Sequence, residues 1–478
     1  MPVLANNPDL KKRENEIKNE IKRLKKDLKS GAKRTESSSK PVSVFPNSKN
    51  NSSGSLRGND DFININANNK SSNVNKNIYN EPNFSGGGSA VLRKPKSPLL
   101  RRTYNFVKEK QKLPPFDIPF FVGVIFLLAV GLVMLFSASY AKAFFAEGNS
   151  YFFISKQLKF AVAGVVGMMI VSFIPYKFYK GNTIAFYLFS IVLLVIVLIV
   201  GVGGESYNEK RWLDVFGFFQ FQPSEIAKLA VVFILADYIS KNKEKMGKFK
   251  EGIVYPGFLT AAVALLIVAE PHLSGAILVM AIGIIMIYTS GCKYKYIAIF
   301  GGLAAGAGAV VIQTQTYMQD RINTWLHPES DPLGDGFQIL QSLYAIGSGG
   351  LFGEGLGQSR QKYLYLPEVQ NDFIFSVVSE EIGLIGAILI LALFAFLIWR
   401  GIYIAIKAPD NFSSLVVVGI ISRIAVQTLL NIAVVTNSIP VTGISLPFFS
   451  YGGTALIILL VEMGIVLQIS RFAYVEKE

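Results

Sequence analysis

The stretch DFIFSVVSEEIGLIGAILILALFAFLIWR (residues 372–400) decides the fold class. After Asp372 it is apolar for longer than the roughly 20 residues needed to cross a bilayer as a helix, broken only by Ser376, Ser379, Glu380 and Glu381. It follows a long polar segment, residues 316–372, so Asp372 stands where a large loop enters a membrane helix. A carboxylate at that boundary is costly unless it is paired or used. Asp372 also precedes a helix, where an aspartate is a good N-cap, so capping and chemistry are both open to it. Glu380 and Glu381, two turns on, read as structural, one of them pairing inside a bundle.

Outward from this stretch the composition agrees. The chain has 478 residues, 51% hydrophobic and only 17% charged, with a mean hydropathy of +0.39. This indicates a polytopic membrane protein. The net charge of +14 is confined to one end: residues 1–116 hold 24 Lys/Arg against 10 Asp/Glu, and the remainder holds 23 of each. A basic segment beside a first span is what a cytoplasmic tail carries, and it favours anionic lipid. Nucleic-acid binding is not expected. Within the tail, residues 1–34 include Leu10, Ile17, Ile21, Leu24 and Leu28 at helical spacing, a short amphipathic or coiled-coil segment or a solvated charged helix. Residues 35–116 are Asn-, Ser- and Gly-rich, expected to be disordered, and end in a basic juxtamembrane stretch. No apolar core follows Met1, so no cleaved signal peptide is expected. Cys292 is the sole cysteine and there are two histidines, which gives neither an intrachain disulfide nor a His-rich metal site.

Ten apolar stretches are long enough to span: 117–139, 158–175, 183–203, 222–239, 253–270, 274–291, 296–315, 373–400, 412–435 and 452–471. The expected fold is therefore an all-α polytopic membrane protein with ten transmembrane helices over residues 117–472. A cytoplasmic N-terminus then puts residues 473–478 in the cytoplasm too. The lysine-rich connectors, such as KNKEKMGKFK (241–250), fall on the inner side of that scheme. Residues 204–221 and the long loop 316–372 fall outside, and loops of the latter length tend to be functional.

Four segments are out of place in a plain bundle. In RWLDVFGFFQFQPSEIAKLA (211–230), Arg211 lies in an outer loop, Ser224 can cap a helix, and Glu225 and Lys228 sit three apart on one face, as an ion pair or as a phosphate-facing cation. In EPHLSG (270–275), Glu270, Pro271 and His272 interrupt a hairpin, and a satisfied turn is the expected role of His272. In GDGFQILQSLYAIGSGGLFGEGLGQSRQKYLYLPE (334–368), a glycine run precedes Arg360 and Lys362; such backbone can approach an anion closely, although no nucleotide fingerprint is matched. In NIAVVTNSIPVTGISLPFFSYGGTA (431–455), Pro440, Gly443, Pro447, Gly452 and Gly453 make irregular backbone that must be buried in protein or line a cavity. Arg423 and Gln427 precede it on one helical face. One carboxylate, several cations and a polar cavity fit group transfer from a lipid-linked pyrophosphate, with the acid as proton acceptor. A transporter is the competing class, since its sites also carry charges and broken helices.

The same segments resemble the SEDS family of cell-wall proteins, typified by FtsW, RodA and SpoVE. SLPFFSYGGTA (445–455) is similar to the family signature, RWLDVFGFFQFQPSEIAKLA to its RW…QPSE…K motif, and residues 344–375 to its long-loop motif. The resemblance covers about residues 117–472 and is nearer the division and sporulation branch than RodA. Thr454, where many members have Ser, and the long N-terminal extension depart from the pattern. The resemblance implies a ten-span peptidoglycan glycosyltransferase of the bacterial cytoplasmic membrane. Such an enzyme polymerises lipid II onto an undecaprenyl-pyrophosphate-linked glycan. The family's essential aspartate falls on Asp372, and its motif cations on Arg211 and Lys228. With Glu225, Arg360 and Lys362 these make up the expected pyrophosphate-binding set, while Arg423, Gln427, Pro447, Ser450, Gly452 and Gly453 are expected to be structural or to line the cavity. The resemblance further implies a class B penicillin-binding protein as partner, other divisome or sporulation proteins, and divalent-metal dependence (Mg²⁺ or Mn²⁺) in some members. A lipid II flippase and a divisome scaffold are the alternative functions.

Overall fold

The computed structural model describes residues 114–203, 210–215, 219–314, 316–334 and 336–473. The expected segment 1–34, nearly all of the tail 35–116, and the last residues of the C-terminus lie outside the described residues.

Each of the ten apolar stretches falls on a helix. These are α1 (Ile118–Glu147), α2 (Phe152–Val171), α4 (Thr183–Val200), α5 (Pro223–Lys241), α6 (Tyr255–Ala269), α7 (Leu273–Thr289), α8 (Tyr294–Thr314), α11 (Ile374–Lys407), α12 (Asn411–Val435) and α13 (Gly453–Ala473). Seven of them, α1, α2, α4, α6 with the π-turn before it, α11, α12 and α13, are long and apolar enough to cross a membrane. The chain is a multi-pass membrane protein. α5 carries buried Glu225, Lys228 and Asp237, which lower its hydropathy, and α7 is short. Three shorter helices complete the set: α3 (Tyr176–Gly181) and, within the long loop, α9 (Thr316–Leu326) and α10 (Phe337–Ser348). Among the described residues, the fold departs from all-α around one hairpin, beside which Val202 and Trp212 form an isolated bridge. Leu213–Val215 (β1) and Phe219–Phe221 (β2) pair antiparallel, with Asp214 opposite Gln220. The alternation of polar and apolar residues there suits a small hairpin.

The bundle is graded from centre to rim. In its apolar window α13 is 72% buried, whereas α2 is 22% buried and turns Leu158, Val162, Val166 and Ile170 outward. α2 and α13 nonetheless pack backbone to backbone, because a Cβ at Gly464 would lie 2.5 Å from the Met168 carbonyl oxygen. At the end away from the long loop, the Asp117 carboxylate caps α1 at Phe120 N (2.9 Å) and takes a bidentate pair from Arg400 (3.0 and 2.8 Å). The Asp117 amide donates to Ser470 Oγ (2.9 Å), so α1, α11 and α13 are tied at one level.

At the opposite end the long loop is built, not loose. Trp325 of α9 donates to the Asn437 carbonyl (3.0 Å), and Arg321 donates to that of Val441. The loop helices thereby dock on the irregular segment between α12 and α13. Gln157 of α2 holds the same segment from the other side, donating to Ser450 O (3.2 Å) and accepting from Gly452 N (3.2 Å).

Candidate active site

The irregular segment, the hairpin and the loop-side ends of α2, α5, α7 and α12 enclose a cavity of about 990 Å³. Its wall includes Asp372, Arg211, Lys228, Glu225, Arg423, Gln427, Pro447, Ser450, Gly452 and Gly453. Residues from four separated segments of sequence thus share one space.

Asp372 lies at its edge, half-buried. It does not cap α11: the helix starts at Ile374, Phe373 holds the cap position, and no side chain makes a capping bond. The capping reading is therefore corrected, and the carboxylate has no hydrogen-bond donor among the described residues. Only the backbone is held. Asn431 Nδ2 donates to the Asp372 carbonyl (2.7 Å) and to that of Ile444 (2.7 Å), while Ser450 Oγ donates to the Asn371 carbonyl (2.7 Å). Burial, reinforced by the Glu368 carboxylate, pushes the Asp372 carboxyl up to about 6, against the opposing pull of Arg321 and Arg211. A base with that affinity for a proton is matched to work near neutrality.

The cations divide into two kinds. Lys228 Nζ is 2.5 Å from Glu225 Oε1, and Arg423 joins both Glu225 and Glu462. All four are buried, and their formal charges cancel. Bringing four charges into a bundle is tolerable only in such a closed set. Glu225 and Lys228 are thus the ion pair that their spacing allowed, set in the cavity floor. The cap residue of α5 is Gln222, with Pro223 in the first turn, and Ser224 Oγ is buried without a partner, so the expected serine cap is not formed. Arg211 is of the second kind: it lines the cavity and its guanidinium donates to the Pro271 carbonyl. Lys156 and Lys159, three apart on α2, join it on the wall with exposed side chains.

Two expected ligands of pyrophosphate lie elsewhere. The Arg360 side chain is 81% exposed, is not part of the cavity wall, and lies 4.0 Å from Glu354. Lys362 is 0% exposed and pairs with Glu381 at 2.8 Å, because a buried ammonium needs a carboxylate more than a transient ligand. In the glycine run before them, the Glu354 and Gly355 amides donate to the Glu380 and Glu381 carbonyls, so this part packs on α11. Glu380 and Glu381 are structural, as their place in the helix suggested. His272 corrects another expectation. Its Nδ1 is buried without a partner and its ring faces the cavity, so the turn does not satisfy it. Burial, with Arg211 and Lys228 nearby, pulls the imidazole down to about 3, which leaves it neutral.

Lys156, Lys159 and Arg321 went unremarked in the sequence, whereas Glu270, noted there only as part of the turn, is fully buried. The two lysines left a readable sign, a basic pair three apart at the mouth of an apolar helix. Neither Glu270 carboxylate oxygen has a hydrogen-bond partner among the described residues.

A family model described as "Cell cycle protein", covering FtsW, RodA and SpoVE, matches residues 119–475. The chain belongs to this family. It is 43% identical over 357 residues to "Stage V sporulation protein E" of Bacillus subtilis (strain 168), spanning 75% of this chain and 97% of that protein. It is 37% identical over 361 residues to "Probable peptidoglycan glycosyltransferase FtsW" of Geobacter sp. (strain M18), spanning 75% and 98%. Among solved structures, a chain from "Structural coordination of polymerization and crosslinking by a peptidoglycan synthase complex" superposes with a TM-score of 0.60 at 28% identity, covering 76% of this chain and 99% of that one. The rod shape determining protein RodA of Thermus thermophilus superposes with a TM-score of 0.55 at 26% identity, covering 76% and 98%.

Proposed function

We propose that this family member is a peptidoglycan glycosyltransferase that polymerises lipid II, with Asp372 as its general base. The observation that carries the reading is the Asp372 carboxylate itself: without a hydrogen-bond donor among the described residues, half-buried, and facing the same cavity as Arg211, Lys156 and Lys159.

The chemistry follows from that placement. Asp372 accepts the proton of the C4 hydroxyl of the incoming lipid II as the hydroxyl oxygen bonds to the anomeric carbon of the growing chain. The bond from that carbon to pyrophosphate breaks, and undecaprenyl pyrophosphate leaves with the electron pair. This leaving group is already ionised, so it needs cations and no general acid. A single displacement inverts the centre from α to β. Arg211, Lys156 and Lys159 meet the leaving charge, while Lys228, held by Glu225, sets the polarity of the floor.

No group of three or more potential metal ligands exists among the described residues. Mg²⁺ commonly takes only one or two carboxylates beside substrate phosphates, and Asp372 and Asp214 both face the cavity. A divalent cation fits there as a companion of the pyrophosphate, where it would neutralise leaving-group charge.

In this reading all ten long helices span, both termini are cytoplasmic, the cavity opens on the outer face of the bacterial cytoplasmic membrane, and the basic tail meets anionic lipid. A class B penicillin-binding protein, in a divisome or sporulation assembly, is the partner that cross-links the product. The test is direct. Purified chain, with and without such a partner, is given lipid II and assayed for glycan polymer. Polymer from the wild type and none from Asp372→Asn is expected; wild-type polymer from Asp372→Asn removes the assignment. Lipid II movement between leaflets without polymer would favour a flippase.

A further inference from the structure

α11 is broken inside. Gly383 has φ 67° and ψ −173°, outside helical values, and the long loop is spliced into the gap. The amides of Leu384 and Ile385 donate to the carbonyls of Gly350 (2.9 Å) and Leu351 (3.2 Å), and the carbonyls of Glu380 and Glu381 accept from the amides of Glu354 (2.9 Å) and Gly355 (3.0 Å). The approach is so close that a Cβ at Gly353 would lie 2.2 Å from the Glu381 carbonyl oxygen, and one at Gly383 2.3 Å from the Gly353 nitrogen. This is why the loop is rich in glycine.

Side chains lock the splice. Lys362 Nζ donates to Glu381 Oε1 (2.8 Å), and Ser137 of α1 donates to both oxygens of that carboxylate (2.7 and 2.6 Å). The ammonium also lies 4.8 Å from the centre of the Tyr140 ring. Glu380 gathers the loop above it, accepting from Ser359 Oγ (2.5 Å) and the Arg360 amide (2.9 Å).

Asp372 falls midway along the 19-residue separation of Lys362 and Glu381. Among the described residues its carboxylate has no hydrogen-bond donor, so its position is set by the backbone, held at Asp372 itself by Asn431 (2.7 Å) and continuing on either side. Downstream, the break at Gly383 interrupts the helix between Ile374–Ile382 and the remainder of α11, where the Leu384 and Ile385 amides turn to the loop instead. Upstream, the chain is loop. A buried ion pair is a poor source of net stability compared with apolar packing, which argues that this one is retained for geometry. We propose that Lys362 and Glu381, backed by Ser137, are positioning residues: their pair closes the segment that carries Asp372 and fixes the carboxylate against the cavity. This rests on the reading of Asp372 as the base.

The test compares wild type, Lys362→Met, Lys362→Arg, Ser137→Ala and Asp372→Asn in the full-length chain with its partner. Polymerisation of lipid II gives kcat and KM, and thermal melts in the same detergent give the folded fraction to which kcat is normalised. Misplacement of a reacting group by about 1 Å costs on the order of 10²-fold. Lys362→Met is therefore expected to lower kcat by about tenfold or more, with KM within about twofold. Lys362→Arg, which keeps the charge, is expected to restore most of the rate. Wild-type kcat in Lys362→Met overturns the proposal, as does a raised KM at unchanged kcat, which would put Lys362 on the substrate. Should Lys362→Met fail to fold, Ser137→Ala decides: a severalfold lower kcat supports the proposal and an unchanged one overturns it. An active Asp372→Asn defeats the base reading; an inactive Asp372→Asn beside a normal Lys362→Met defeats the positioning role alone.

Discussion

Two sets of charges meet at one cavity and are treated in opposite ways. In the floor, Lys228, Glu225, Arg423 and Glu462 form a closed, neutral set. At the edge, Asp372 is given backbone support and no side-chain partner. The floor spends its charge on itself and so can hold helices α5, α12 and α13 in register. Asp372 keeps its lone pairs for a substrate. A cavity-facing carboxylate with no side-chain partner among the described residues, beside a charge-balanced set, is the mark of a working group.

The contrast can be broken at its strongest point first. Asp372→Asn keeps the shape and removes the base, and a loss of at least about 10²–10³ in polymerisation rate is expected, with normal membrane insertion. Glu225→Ala strips the floor of a shared carboxylate. Leaving buried cations uncompensated costs roughly 3–5 kcal/mol, so the variant should melt far below wild type, whereas Asp372→Asn should not. An unchanged melting temperature for Glu225→Ala would erase the distinction.

Smaller effects sharpen it. Lys156→Ala with Lys159→Ala removes exposed charge from the wall: kcat/KM for lipid II is expected to fall about tenfold, and the loss should shrink as salt rises in the wild-type comparison. The pH profile tests the base directly. With the Asp372 carboxyl raised to about 6, its basic form is lost as pH falls through that value, so the rate should drop by half near pH 6 and keep falling in acid. A flat profile between pH 5 and 7 would assign the proton elsewhere. Arg360→Ala, which alters only an exposed side chain outside the cavity, should change activity by less than about twofold.

How far the sequence carried differs from residue to residue. The ten helical stretches were legible because apolar length is a local property. Asp372, Arg211, Arg423 and the 443–453 segment were legible because polar or irregular residues at membrane depth demand a reason. Lys362 was misread as a ligand, since a lysine in a glycine-rich loop looks exposed until Glu381 is seen 19 residues away. Ser224 and His272 were misread for the same kind of reason: a cap or a satisfied turn is a local guess, and their surroundings come from other elements.

The sequence by itself determined that this chain lives in a membrane, where its helices run, and which polar residues are too costly to be incidental, because the price of polarity in hydrocarbon is paid residue by residue. Only the tertiary structure decided which of those residues are spent on one another and which face the cavity. Pairing between Arg423 and Glu462, or between Lys362 and Glu381, depends on how separate segments pack. That packing leaves Asp372 with backbone ties and an unclaimed carboxylate.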